Sequence, residues 1–167
     1  MTAQVSRFLI DLPIRNEWSH VDLLRVTVQN CLTLLFSETE GCEAVAMVAG
    51  ELLENAVKYG DWTGPSQSLR VSVEGEGTTL RVTVENPVRR DGDDIKELLR
   101  VIAMLGASTT CEEREEAYRA RLIELAAAAE LSSSRLGLLR IAYEGNCTLR
   151  ATLLDNGNLC TTAEMQI

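Results

Sequence analysis

The chain has 167 residues, a length that fits one domain around its own core and argues against a multidomain assembly. Hydrophobic residues make up 46% and charged residues 25%, the profile of a folded chain, and no apolar run approaches the roughly 20 residues that span a bilayer. With 16 Lys and Arg against 25 Asp and Glu, the net charge is -9, which speaks against nonspecific nucleic-acid binding.

The first residues lack the basic stretch, apolar core and small-residue cleavage site of an export signal, so a cytoplasmic location without membrane attachment is expected. Cys31, Cys42, Cys111, Cys147 and Cys160 contain no Cys-x-x-Cys pair, and His20 is the single histidine. The cysteines therefore read as reduced core residues, and no metal site of protein ligands alone is expected.

Residues 6–12 read as a short strand ending at Pro13. Ser19 then offers an N-cap, and Val21, Leu24, Val28, Cys31, Leu32 and Leu35 recur at helical steps, predicting a helix that stops near Phe36. Ser37 and Thr39 are cap candidates for a second helix. Its buried stripe is Val45, Val48, Ala49, Leu52, Ala56 and Tyr59, and Gly60 is its stop. Leu69, Val71 and Val73 alternate with polar residues, and after EGEG so do Leu80, Val82 and Val84, which predicts a hairpin. Ile95, Leu98, Leu99, Ile102 and Leu105 mark a third helix closed by Gly106, and Glu112 to Leu131 a fourth rich in helix formers. A loop and helix over SSSRLGLLRIAYEG precede two last strands joined at Asp155-Asn156-Gly157-Asn158. This order predicts helices covering one face of a mainly antiparallel sheet.

The second helix carries the most chemistry. Glu51, Asn55 and Lys58 stand at i, i+4 and i+7 and share a face, and the apolar stripe is centred roughly 90° around the helix. A carboxylate, an amide and an ammonium at the margin of a buried face suit a magnesium nucleotide: a base for a hydroxyl, a ligand for a hard cation, and a partner for phosphate. The same residues also read as an ordinary surface edge on which Glu54 and Lys58 form an i,i+4 pair. Trp18, Trp62 and His20 read as packing or partly exposed groups, although Trp62, just after this helix, could edge a site there.

Residues 48–60, VAGELLENAVKYG, resemble the N box of the GHKL (Bergerat-fold) ATPase superfamily, whose members include histidine kinases and the anti-sigma-factor serine kinases. Residues 134–145, SRLGLLRIAYEG, resemble the end of that superfamily's second glycine-rich box and the helix it opens. Within the superfamily, the two helices between them resemble the SiaB-type kinases. The resemblance implies an α+β two-layer sandwich over residues 1–167, a mixed, mainly antiparallel sheet under helices, with a helical lid region at about 91–131. It implies ATP and Mg2+ as cofactors, Glu51 as general base and Asn55 as magnesium ligand. Lys58 would lie near the phosphates and Tyr59 near the adenine or the core, and Ser134, Arg135, Leu136, Gly137 and Leu138 would cradle phosphate at the helix start.

Two positions depart from the family pattern. Where the family has an aspartate for adenine, this chain has Glu85-Asn86-Pro87-Val88, making Asn86 the candidate contact and Asp91 a displaced second one. Ser132, Ser133, Ser134 and Arg135 stand where glycines are expected, and read either as phosphate donors or as a helix cap with an exposed arginine. By resemblance, the protein is expected to be an ATP-dependent serine/threonine kinase acting on a STAS-domain antagonist or sigma-factor-type regulatory protein. The alternative is a non-catalytic binding module with the same fold. The apolar lid helices are expected to pack on the core or to bind a partner, with a homodimer as one outcome.

Overall fold

A computed structural model describes residues 6–13, 19–36, 41–64, 67–107, 110–127 and 134–166. The elements follow the expected order: β1 (Ser6–Pro13), α1 (Ser19–Phe36), α2 (Gly41–Tyr59), β2 (Ser68–Glu76), β3 (Thr79–Pro87), α3 (Asp93–Ala107), α4 (Cys111–Ala127), α5 (Ser134–Tyr143), β4 (Thr148–Leu153) and β5 (Asn158–Gln166). The cap candidates Ser37 and Thr39, together with Trp18, Ser132 and Ser133, lie outside the described residues.

The five strands form one sheet in the order β1-β2-β3-β5-β4, every neighbour antiparallel. β5 lies between β3 and β4, so the chain leaves the sheet after β3, builds three helices, and returns with a hairpin whose second strand closes against β3. Alternation divides the sheet into two faces. Leu69, Val71, Val73, Leu80, Val82, Val84, Leu149, Leu159, Ala163 and Met165 are buried toward the helices, and the opposite face is charged and polar. The result is the expected two-layer α+β sandwich.

Local chemistry sets the element ends. The first hairpin turns at Gly77-Thr78, with Gly77 at φ 60°, so the strand runs through most of the EGEG stretch before turning. Thr110 and Glu113 form a capping box before α4: the Glu113 N–H donates to Thr110 Oγ1 at 3.1 Å, and the Thr110 N–H donates to Glu113 Oε2 at 3.2 Å. At the end of α2, Trp62 Nε1 donates to the Val57 carbonyl at 3.1 Å, so Trp62 both packs and caps.

α2 is the central helix. Val45, Val48, Ala49, Leu52, Leu53, Ala56 and Val57 are buried on it, and it packs against α1, β3 and α5. α3 rests on β4 through a buried stripe of Ile95, Leu98, Val101, Ile102 and Leu105, whereas α4 packs against α5 and leaves Leu122 and Ile123 exposed. The two lid-region helices thus divide the expected behaviour, α3 joining the core and α4 keeping apolar surface. No described helix is long and apolar enough to cross a membrane. Leu53 is fully buried in α2, so Leu53→Ala should cost about 2–5 kcal/mol of unfolding free energy in denaturant titrations.

Candidate functional site

Glu51 reaches from α2 to α5. Its side chain keeps 16% exposure, and its Oε1 accepts from Arg140 Nη1 at 2.6 Å. Its other oxygen, Oε2, lies over Gly137, one turn earlier on the same face of α5. A Cβ at residue 137 would fall within non-bonded contact distance of that oxygen, so the bare glycine is what lets the carboxylate sit between the helices. Arg140 Nε also donates to Glu144 Oε2 at 3.2 Å, and Glu144 Oε1 accepts from the Tyr118 hydroxyl of α4 at 3.0 Å. Tyr118 stacks on Tyr143 with ring centroids 4.9 Å apart. One polar chain therefore runs from α2 through α5 to α4.

Burial pushes the Glu51 carboxyl above the ordinary glutamate range; the Arg140 guanidinium pulls it down, Glu54 pushes it up, and Arg25 pulls it down. Arg25 and Glu54 themselves form an ion pair across α1 and α2.

One turn on from Glu51, Asn55 points toward the sheet. Its Nδ2 is buried and has no hydrogen-bond partner among the described residues, an arrangement that costs free energy unless a water or ligand meets it there. Asn55 lines a cavity of about 10 Å³ with Leu52, Ala56 and Tyr59 of α2, Val84 and Asn86 of β3, Leu98 and Ile102 of α3, Leu138 of α5, and Leu159 and Thr161 of β5. That volume is on the scale of a single water. Asn86 is buried at 2% exposure, on the helix-facing side of β3, with its Nδ2 donating to the Pro87 carbonyl at 3.2 Å. Asn55 and Asn86, far apart in sequence, thus meet at one cavity.

The other candidates spread outward. Tyr59 lines the small cavity and also two open clefts of about 420 and 370 Å³. Lys58 lines the larger cleft with Asp61, Trp62, Arg89 and Asp94, its Nζ 5.6 Å from the Tyr59 ring centroid. Asp91 sits in the exposed turn before α3 and lines none of these spaces. α5 begins at Ser134, so Arg135, Leu136, Gly137 and Leu138 occupy its first turns; Gly137 and Leu138 are buried, and the side chains of Ser134 and Arg135 lie outside the described set. Among the described residues, no group of His, Cys, Asp and Glu could hold a metal ion unaided.

The sequence reading missed Arg140, Glu144, Tyr118 and Thr161. A signal for the first was present: Arg140 follows Gly137 by three residues, on the same helical face, and a half-buried Glu51 needs a cation. Thr161 carries no such signal, because it reads as one more residue of an alternating strand.

No family model matches the chain, and no curated protein matches it. Among solved structures, it is similar to a chain of the SiaB–SiaC complex from Pseudomonas aeruginosa, with a TM-score of 0.65 and 22% sequence identity, over 96% of this chain and 89% of that chain. The likeness is one of fold, a two-layer sandwich matched over nearly the whole length.

Two outcomes follow from the Glu51 environment. Alanine in a helix ordinarily gains about 1 kcal/mol over glycine, but Gly137→Ala should show no gain in the native chain and should recover it in the Glu51→Ala background. Thermal unfolding of the four variants of that cycle measures the coupling. Arg140→Gln removes the opposing cation, so Glu51 should titrate at higher pH than in the native chain, followed by carboxyl-carbon NMR. Because the folded chain then holds the Glu51 proton more tightly than the unfolded one, this group's stability contribution is full below its unfolded range. It is lost as pH rises through the folded value.

Proposed function

We propose that the protein is an ATP-dependent regulatory kinase of the GHKL, SiaB-like type, which phosphorylates a serine or threonine hydroxyl of a STAS-domain partner. The observation that carries this reading is the orphaned amide of Asn55, buried between α2 and the sheet and one turn from a carboxylate on the same helix. The fold it shares with a chain of the SiaB–SiaC complex supports a role in assembly with a regulatory protein.

The donor set fits a magnesium nucleotide. Asn55 would offer its Oδ1 to the cation while its unpartnered Nδ2, a hydrogen-bond donor, would meet an oxygen of the ligand; Asn86 and Thr161 supply polar groups in the interlayer cavity, and Lys58 stands beyond Tyr59. The cavity volume does not fit a purine until one wall moves. Leu98 and Ile102 of α3 form that wall, and the open cleft on the α3 side, lined by Tyr59, Leu98 and Leu138, already adjoins it. Outward displacement of α3 is therefore part of the reading.

Bound magnesium-ATP supplies the transferable phosphoryl group. Glu51, whose carboxyl is shifted upward by burial against the pull of Arg140, takes in its ionised form the proton of the partner's hydroxyl as that oxygen bonds to the terminal phosphorus and the bond to ADP breaks. Gly137 and Arg140 fix where the carboxylate stands, which is a positioning contribution.

A second reading, a partner-binding module without catalysis, is favoured by the same small cavity and by the engagement of Glu51 with Arg140. Calorimetric titration with ATP, with and without Mg2+, separates the two. The kinase reading expects one magnesium-dependent site, lost in Asn55→Ala, and phosphotransfer to a STAS-domain protein that Glu51→Gln abolishes while ATP affinity is retained. Absence of binding at millimolar ATP leaves the module reading.

A further inference from the structure

Arg140 is shared between two carboxylates. Its Nη1 donates to Glu51 Oε1 at 2.6 Å, and its Nε donates to Glu144 Oε2 at 3.2 Å. The Nε edge of a guanidinium carries a second donor, Nη2, so that edge can hold both oxygens of a single carboxylate. Arg140 therefore has two settings: the divided one of this structure, and one in which it lies bidentate on Glu144 and gives up Glu51.

What keeps the guanidinium divided is the other oxygen of Glu144. That oxygen, Oε1, accepts from the Tyr118 hydroxyl of α4 at 3.0 Å. Glu144 itself is held in place. Its N–H donates to the Arg140 carbonyl at 2.8 Å, which closes the last turn of α5, and a Cβ on the next residue, Gly145, would meet Val48 of α2 and the Ile141 carbonyl. Tyr118 is fixed in turn by its stack on Tyr143, where α4 packs against α5. The setting of Arg140 thus depends on a hydroxyl that another helix brings.

For Glu51 the two settings differ in what its carboxylate can do. With Nη1 on Oε1 and Gly137 under Oε2, the group is occupied in the gap between α2 and α5. The charges that face it are Arg140 and Glu144 from α5, Glu54 from its own helix and Arg25 from α1; the two arginines lower its proton affinity and the two glutamates raise it. Moving the guanidinium onto Glu144 removes the larger of the two attractions. Glu51 then binds a proton more tightly, the direction that strengthens a general base working near neutral pH.

We propose that Tyr118 decides, through Glu144, which carboxylate Arg140 serves: α4 docked on α5 holds Glu51 engaged, and α4 lifted from α5 releases it to accept a proton. The contact is autoinhibitory, and Tyr118 and Glu144 act on Glu51 as positioning residues. The effect on phosphotransfer rests on the kinase reading, whereas the effect on Glu51 itself does not. In these terms the Glu51–Arg140 pair is the resting setting of the site.

Tyr118→Phe removes the hydroxyl and keeps the ring, and Glu144→Gln removes the competing charge. Carboxyl-carbon NMR follows Glu51, with Glu51→Gln identifying its signal. Tyr118→Phe should move the Glu51 titration to higher pH and Glu144→Gln should move it to lower pH, opposite signs that a merely structural role would not produce. In the Glu144→Gln background, Tyr118→Phe should move it no further. Phosphotransfer at neutral pH should rise about threefold in Tyr118→Phe and fall by a similar factor in Glu144→Gln, the acid limb of kcat following the NMR titration. A titration that neither variant moves, shifts of the same sign, or a Tyr118 effect that persists without Glu144 overturns the proposal. So do transfer rates that ignore the shifts in Glu51. The expected shifts in a chain that neither binds ATP nor transfers phosphate overturn the kinase reading and support the coupling.

Discussion

Polar groups drawn between a helical layer and an apolar sheet face have to be satisfied there, because no solvent is at hand to do it. α2 carries two such groups at the margin of its buried stripe, and the fold treats them differently. Glu51 is met by Arg140, and the close approach that this requires rests on the missing side chain of Gly137. Asn55 is left with a buried Nδ2 that has no partner among the described residues. The first arrangement ties α2 to α5 and, through Glu144 and Tyr118, to α4. The second leaves a local cost at the point where α2, β3, β5, α3 and α5 converge. A core that satisfies one polar group and leaves its neighbour's Nδ2 unmatched among the described residues concentrates its cost at one place, beside a cavity on the scale of a single water.

Much of the fold was legible because its signals are local and strong. The helical stripes of α1, α2 and α3, the alternation of β2 and β3, and the turn around Gly157 each follow from a period or from a residue with a special backbone need. The insertion of β5 between β3 and β4 was not legible. A strand with one apolar face pairs equally well with any neighbour offering the same face, and the choice is made by the three helices that intervene. The candidate site was legible in part for the same reason. Glu51 and Asn55 are placed by helical spacing alone, whereas Asn86 and Thr161 reach the cavity through tertiary pairing, and Arg140 through packing between helices.

The lid region shows how composition misleads when topology is unknown. α3 and α4 both carry apolar residues, yet α3 spends its stripe on β4 and forms one wall of the Asn55 cavity, while α4 is held by Tyr118 at the end of α5 and keeps Leu122 and Ile123 outside. The element that bounds the cavity is thus distinct from the element tied to Glu51 through Arg140.

The two faces of the sheet divide the work by chemistry. The inner face is apolar except where Asn86 and Thr161 interrupt it at the cavity, so any ligand specificity on that side must come from few groups. The outer face carries charges in rows of alternating sign, each pair individually weak in water. What such rows supply is register: a shift of one strand against its neighbour sets like charges opposite or turns polar residues inward. The rows fix the order in which Glu85 and Asn86 arrive at the end of β3, with Glu85 facing outward to Arg70 and Asn86 facing inward to the cavity. The geometry of the site beneath the helices therefore rests partly on ion pairs on the far side of the sheet.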